Sequence, residues 1–146
     1  MSSVETKPRK GTLSKLKEKE REDRINLILN AAEHVFEKKP FNTVSIQEVA
    51  DEAGISKSSI YTYFTNQEQL FVETASRNIR TLMEILYRQF QNKKDEYDLE
   101  DYINAYVDYM TENEPFYRMM TILMANPTLS PEAQEQISTL ISKHLD

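Results

Sequence analysis

The sequence predicts an all-α fold, in which a small N-terminal head is joined by a long fourth helix to a helical body. Apolar residues recur at steps of three and four through most of the chain, which is the period of a helix with one buried face. No segment shows the strict alternation of a half-buried strand. Ser, Asn, Gly and Pro lie where one apolar stripe stops and the next one starts, so they mark helix ends.

Residues 1–18 are polar and contain Pro8 and Gly11, and we predict a flexible basic arm for them. A first helix is predicted from about Glu20, and Pro40 ends it because the residue before a proline disfavours the helical conformation. The apolar stripe of this helix consists of Ile25, Ile28, Leu29, Ala32, Val35 and Phe36.

Two short helices are predicted next. Ser45 and Glu48 form a capping-box pattern, which predicts a helix over about 46–53. Gly54 follows at the position where a left-handed residue ends a helix. A second short helix is predicted over 57–64, and the tight glycine turn between the two indicates a helix-turn-helix.

Four further helices are predicted: a long helix over 67–91, then helices over 99–112 and 115–125, and a last helix from 131 onward. We therefore divide the chain into the arm at 1–18, a helix-turn-helix domain at 19–66 and a helical domain at 67–146.

The composition indicates a globular protein with an uneven distribution of charge. Of the 146 residues, 39% are hydrophobic and 29% charged, and the net charge is −6. Residues 1–66 have a net charge of +1 and residues 67–146 a net charge of −7. A polyanion would therefore be repelled less by the N-terminal half than by the acidic C-terminal half. No apolar run is long enough to span a bilayer, and with no cysteine there is neither a disulfide nor a thiolate site. These features predict a cytoplasmic protein with no membrane partner.

The outer face of the second short helix predicts contact with double-stranded DNA. In helical projection Ile60 and Phe64 face inward, while Ser58, Tyr61 and Thr62 point away from them and Lys57 lies on the flank. Residues 57–67 contain no Asp or Glu, whereas an ordinary solvated helix face mixes both charge signs. Hydroxyl groups and a lysine on such a face can pair with base edges and phosphates in the major groove.

Residues 24–71 resemble the N-terminal domain of the TetR/AcrR family of transcriptional regulators. The matching stretches are 28–32 (ILNAA), 35–36 (VF), 46–50 (IQEVA), 53–64 (AGISKSSIYTYF) and 66–70 (NQEQL). The resemblance implies a three-helix DNA-binding head and a body that binds an effector and dimerises. It further implies a homodimer on a palindromic operator, acting as a ligand-responsive repressor.

By position, the resemblance implies DNA contacts through Ser45, Gln47, Lys57, Ser58, Ser59, Tyr61 and Tyr63, to which the helical projection adds Thr62. At the start of the fourth helix the family often has a lysine that pairs with a phosphate, and here that residue is Gln67. The Gln67 amide can still donate a hydrogen bond to DNA, but one charge is lost.

The body is rich in Met and aromatic residues, which can line an adaptable apolar pocket or simply form the core. With the resemblance, they suggest a small apolar or amphipathic effector bound by Met83, Tyr87, Tyr102, Tyr106, Met110, Phe116, Tyr117 and Met120. Members of the family usually have two more C-terminal helices that form the dimer interface, so the body is expected to be incomplete at its C-terminus.

An enzyme and an adaptor are the two alternatives to a DNA-binding regulator. The sequence shows no carboxylate–histidine set, no phosphate-binding glycine loop and no metal-ligand spacing, so we predict no catalytic residue, no metal and no cofactor. An adaptor or architectural protein would keep the DNA-binding head but act through a protein partner without an effector. A change in DNA affinity caused by a small molecule would distinguish the regulator from the adaptor.

Overall fold

A computed structural model describes residues 10–92, 99–125 and 127–143. These residues form seven α-helices and a 3-10 turn at Phe41–Thr43, and within them there is no strand, which confirms the all-α prediction. The helices are α1 Lys10–Phe36, α2 Ile46–Ala53, α3 Lys57–Tyr61, α4 Gln67–Asn92, α5 Leu99–Glu112, α6 Glu114–Ala125 and α7 Pro131–Ser142. None of the described helices is long and apolar enough to cross a membrane.

Helix α1 begins at Lys10, ten residues before the predicted start at Glu20. The prediction of a flexible arm over 1–18 is therefore wrong from Lys10 onward, and residues 1–9 lie outside the described residues. The segment 12–24 consists largely of Lys, Arg, Glu and Leu, which have high helix propensity without needing an apolar stripe. A prediction based on the apolar stripe alone misses such a helix.

The first hydrophobic core lies in the head but also includes residues of α4 and α6. It contains Ile28, Leu29, Ala31, Ala32, Phe36, Phe41, Val44, Ile46, Val49, Ala50, Ile60, Phe64, Leu70, Phe71 and Met119. The Phe71 ring of α4 lies 5.2 Å from the Phe36 ring and 4.9 Å from the Phe41 ring, centroid to centroid. Met119 comes from α6, so the core continues across the boundary predicted between residues 66 and 67.

The second hydrophobic core lies in the body, between α4, α5 and α6. Its buried members are Ala75, Ile79, Leu82, Met83, Leu86, Ala105, Tyr109 and Phe116, and Ile137 and Leu140 of α7 pack against them. The Tyr109 hydroxyl is buried within hydrogen-bond distance of both Asn78 oxygens, 3.1 Å from the carbonyl and 3.0 Å from Oδ1.

Polar contacts join the long helix α4 to both ends of the chain. The Arg77 guanidinium donates to Glu33 Oε2 and to Asn30 Oδ1 of α1, both at 2.8 Å. At the start of α4, Glu68 accepts from the backbone N–H of Ser130 at 3.1 Å and from its hydroxyl. Ser130 is the N-cap of α7, so α4 connects the head to the last described helix.

Candidate nucleic-acid interface

Helix α2 begins with the predicted capping box. The Ser45 hydroxyl accepts from the Glu48 backbone N–H at 3.1 Å, and the Glu48 carboxylate accepts from the Ser45 N–H at 3.4 Å. Lys39 Nζ lies 2.8 Å from Glu48 Oε2. The hydrogen bond from Lys39, with further ones from Ser45, lowers the pKa of Glu48. The first turn of α2 is thus held in a fixed position relative to the chain that precedes it.

The turn between α2 and α3 depends on Gly54. Its φ of 71° lies in the left-handed region, and it is the one positive-φ residue among those that the structure describes. The following N–H, from Ile55, donates to the Ala50 carbonyl at 3.1 Å, which satisfies a carbonyl at the end of α2. A Cβ on residue 54 would meet no atom within 4 Å, so the conformation and not space requires glycine.

Helix α3 is shorter than predicted. It spans Lys57–Tyr61, and the N–H groups of Tyr63 and Phe64 both donate to the Ile60 carbonyl, at 2.9 and 3.0 Å. The bond from Tyr63 is of the tighter i−3 type that commonly ends a helix, and this explains why the predicted helix over 57–64 stops earlier. Thr62 and Tyr63 consequently lie in the turn that follows α3.

Serine hydroxyls hold the beginning of α3. The Ser56 hydroxyl accepts from the Ser59 N–H at 3.2 Å, and it lies 2.8 Å from the Ser59 hydroxyl and 3.0 Å from that of Ser58. One turn later the Thr62 hydroxyl donates to the Ser58 carbonyl at 3.2 Å. Ser58 and Thr62 remain exposed, whereas Ser59 is half-buried.

The outward face of α3 carries Lys57 and Tyr61. The Tyr61 side chain is 48% exposed although Ile60 beside it is fully buried. Lys57 Nζ lies 5.9 Å from the centroid of the Tyr61 ring, within range of a cation–π contact. The lysine is therefore positioned over the tyrosine on a helix that contains no acidic residue, which suits it to an anionic ligand.

The other predicted DNA-contacting residues have partners within the protein. Gln47 is exposed and donates to Asp51 Oδ1 at 2.8 Å. Gln67 is half-buried and donates to the Asn42 carbonyl at 3.2 Å, which ties the start of α4 to the 3-10 turn. Tyr63 is half-buried and packs against the head core. Hydrogen bonds therefore define the positions of Gln47 and Gln67.

The predicted effector-binding residues separate into two groups. Met83 and Phe116 are buried in the body core, with Tyr102, Met110 and Met120 half-buried against them. The exposed side chains are Tyr87, Tyr106 and Tyr117, at 50, 44 and 53%. Five of the residues are thus brought together between α4, α5 and α6, and three are not.

Sequence reasoning missed Tyr109 as a residue with a specific role, although it lies in the same Met- and Tyr-rich region. Burial raises the pKa of its hydroxyl, and the charge of Glu33 adds to this effect. Its hydrogen bonds depend on Asn78, which is 31 positions away, so no local sequence pattern indicates them.

A capped α2, the left-handed Gly54 and the short α3 together form a helix-turn-helix, carried on a helical body. Residues 28–74 match the family of bacterial regulatory proteins called the TetR family. This part of the chain is therefore similar to the N-terminal domain of that family.

Relatives of this chain are helix-turn-helix transcriptional regulators. The regulator YfiR of Bacillus subtilis is 31% identical over 85 residues, which cover 58% of this chain and 40% of YfiR. The transcriptional activator FasR of Mycolicibacterium smegmatis is 25% identical over 101 residues, which cover 68% of this chain and 46% of FasR. The chain thus spans less than half the length of these two relatives.

The likeness to solved structures extends beyond the head into the body. A TetR-family regulator from Marinobacter aquaeolei superposes with a TM-score of 0.68 at 20% identity, over 87% of this chain and 68% of the other. PfmR of Thermus thermophilus superposes with a TM-score of 0.59 at 26% identity, over 80% of this chain and 62% of PfmR. The body therefore shares the helical arrangement of these regulators.

Proposed function

We propose that the chain is a cytoplasmic, sequence-specific DNA-binding regulator of transcription that acts as a homodimer on a palindromic operator. The outward face of α3 is the observation that carries the proposal. Lys57, Ser58, Tyr61 and Thr62 are exposed there. A capped α2, the Gly54 turn and the buried Ile60 hold this face in place, so that α3 can enter the major groove as one rigid unit.

The residues of this face divide into two kinds of contact. The Lys57 ammonium can pair with a phosphate or with guanine, and the Ser58 and Thr62 hydroxyls can bond base edges or phosphates. The Tyr61 ring presents an apolar surface for a thymine methyl group and a hydroxyl for a phosphate. In a homodimer two such faces would read the two half-sites of a palindrome in successive major grooves.

The first prediction concerns Tyr61. Selection from a random pool of duplexes should enrich a palindrome, and Tyr61→Ala should weaken binding to it by about tenfold or more, equivalent to about 1–3 kcal/mol for a base-reading contact. Tyr117→Ala is the matched control, because Tyr117 is exposed to a similar extent on α6. Fluorescence anisotropy of a labelled duplex measures both variants. Equal losses in the two variants, or no palindrome in the selection, would contradict the proposal.

We further propose that an effector, small and apolar or amphipathic, regulates DNA binding, with repression relieved when it binds. The composition of the body core supports this proposal, because it contains Met83, Met110 and Met120 beside Phe116. The unbranched thioether side chains of the methionines can rearrange around a ligand between α4, α5 and α6. An effector that prefers a body conformation with the two heads wrongly spaced would lower DNA affinity by population shift. The proposal is tested by a thermal-shift screen with apolar and amphipathic small molecules. The DNA affinity is then measured by anisotropy in the presence of each molecule that stabilises the protein. Stabilisation without any change in DNA affinity would favour an adaptor.

A further inference from the structure

The side-chain amide of Gln47, in the first turn of α2, is held by a carboxylate one turn further along the helix. Gln47 Nε2 donates to Asp51 Oδ1 at 2.8 Å, and both side chains are exposed. In the part of the chain that the structure describes, Asp51 forms no ion pair. The Asp51 carboxylate is therefore occupied by a neutral amide and not by a cation.

The chemistry of this pair fixes which way the Gln47 amide faces. An ionised carboxylate only accepts hydrogen bonds, so it can bond the amide nitrogen but not the amide oxygen. Turning the amide by half a revolution would place two acceptors, Gln47 Oε1 and Asp51 Oδ1, against each other. Gln47 therefore keeps its nitrogen toward Asp51, which leaves Oε1 and the second N–H for a ligand.

The backbone that carries Gln47 is held as well. Ser45 and Glu48 form the capping box at this turn, and Lys39 Nζ lies 2.8 Å from Glu48 Oε2. Ile46, the neighbour of Gln47, is buried in the head core. Both ends of the Gln47 side chain are thus positioned before any ligand binds.

An amide with a fixed orientation distinguishes bases that a freely turning amide does not. In the major groove adenine and cytosine expose an amino group, whereas guanine and thymine expose carbonyl oxygens. A glutamine that turns freely can meet either kind, with its oxygen or with its nitrogen. The held Gln47 presents its oxygen, which accepts from an amino group but is repelled by a carbonyl oxygen.

We propose that Asp51 is a positioning residue that determines DNA sequence specificity. It orients Gln47 so that the protein selects adenine or cytosine at one operator position, on the strand that faces α2. This inference rests on the proposed function and on the predicted DNA contact of Gln47. An anion close to a polyanion weakens binding to every duplex, so Asp51 contributes discrimination between sequences and not affinity.

The test measures base preference, because a Gln–Asp pair at this spacing also stabilises a helix and stability alone would not show the proposed role. Selection from a random pool of duplexes with wild type and with Gln47→Ala identifies the operator position that Gln47 reads. For the wild type we expect adenine or cytosine to be preferred there by about tenfold over guanine and thymine, as for a side chain that pairs with a base edge. Gln47→Ala should lose this preference.

Asp51→Asn is the decisive variant, because an amide at this position has both a donor and an acceptor and can bond Gln47 in either orientation. The preference should then fall to about threefold or less, measured by anisotropy as the ratio of affinities for two duplexes that differ at this base pair. Glu52→Gln is the matched control, since Glu52 is the next residue and is also exposed. Each variant removes one negative charge and should bind all duplexes more tightly, but this effect cancels in the ratio. The control should keep the wild-type ratio.

An unchanged ratio in Asp51→Asn would overturn the proposal, and so would a wild-type preference for guanine or thymine at this position. An equal fall of the ratio in Glu52→Gln would also overturn it, because the effect would then come from charge alone. The same selected sequences for Gln47→Ala and wild type would show that Gln47 reads no base, with the same consequence. Failure of the proposed function looks different, because wild-type protein would then select no duplex at all.

Discussion

At the scale of a single residue, Tyr109 has a buried ring and a hydroxyl group that forms a specific hydrogen bond. Its side chain is 7% exposed, its ring packs edge-on against Phe116 at a centroid distance of 6.2 Å, and its hydroxyl bonds Asn78. The ring supplies apolar surface to the body core, while the hydroxyl donates to the buried side chain of Asn78 in α4. This single side chain thus fixes α5 against α4.

We predict that Tyr109→Phe lowers the free energy of unfolding by about 1–3 kcal/mol, because the ring stays while the buried Asn78 Oδ1 loses its donor. Tyr106→Phe is the control, since Tyr106 lies on the same helix and is 44% exposed. Urea unfolding followed by circular dichroism measures both variants. A similar midpoint for the two variants would mean that the Tyr109 hydroxyl contributes nothing specific.

The same hydroxyl predicts a pH dependence. Its pKa is raised in the folded protein, so the folded state favours the protonated, neutral form. Its contribution to stability is therefore complete below the unfolded pKa of about 10 and is lost as the pH rises above that value. Between neutral pH and pH 10.5, wild-type protein should lose more stability than Tyr109→Phe does, as measured by urea unfolding at both pH values. Equal losses would contradict the prediction.

At the scale of elements, the helix-turn-helix depends on the backbone conformation of a single glycine. Gly54 alone among the described residues has a positive φ, and it separates α2 from α3. The two glycines of the chain thus have different roles, because Gly11 lies within the exposed part of α1.

We predict that Gly54→Ala destabilises the protein by about 1–2 kcal/mol, the usual penalty for a left-handed alanine. Gly54→Asn should cost less, since Asn tolerates this conformation. Gly11→Ala should instead be neutral or stabilising, by up to about 1 kcal/mol, because alanine favours a helix interior. Chemical unfolding of the three variants checks this order. An unchanged midpoint for Gly54→Ala would show that the turn can be rebuilt at no cost.

The elements themselves were largely predictable from the sequence, since apolar period, caps and turn residues indicated all seven helices. The exceptions have local physical causes. The start of α1 lacks an apolar stripe, and the end of α3 depends on the Tyr63 bond to Ile60. Contacts between distant positions could not be predicted. Arg77 and Glu33 are 44 positions apart, and Ser130 and Glu68 are 62 positions apart. No spacing rule connects such pairs.

Only part of the candidate site was predictable from the sequence. The exposed face of α3 followed from helical projection, because Ile60 identifies the inward side. The partners of Gln47 and Gln67 did not, since polar side chains can bond either the protein or a ligand. Assigning DNA contacts to Ser45, Gln47, Ser59, Tyr63 and Gln67 remains a prediction.

At the scale of the whole molecule, head and body share one structural unit. Met119 of α6 is fully buried in the head core, next to residues of α1 and α4. The hydrogen bonds of Glu68 to Ser130 add a polar link close to the start of α4. A rearrangement in the body would consequently be transmitted to the base of the head.

We predict that Met119→Ala lowers the free energy of unfolding by about 2–5 kcal/mol, as for other buried Met side chains, and that unfolding remains a single transition. Met124→Ala on the same helix is the control, because Met124 is 80% exposed. Circular dichroism and tyrosine fluorescence should give coincident urea curves for the Met119 variant. Two separate transitions would show that head and body unfold independently.

The uneven anchoring of α1 has a consequence for backbone amide hydrogen exchange. Amides near Ile28 to Phe36 open only when the head core opens, whereas those of the exposed residues 11–24 can open by fraying from the helix end. One continuous ladder of helical hydrogen bonds should therefore contain a fast-exchanging and a slow-exchanging half, which meet near Ile25.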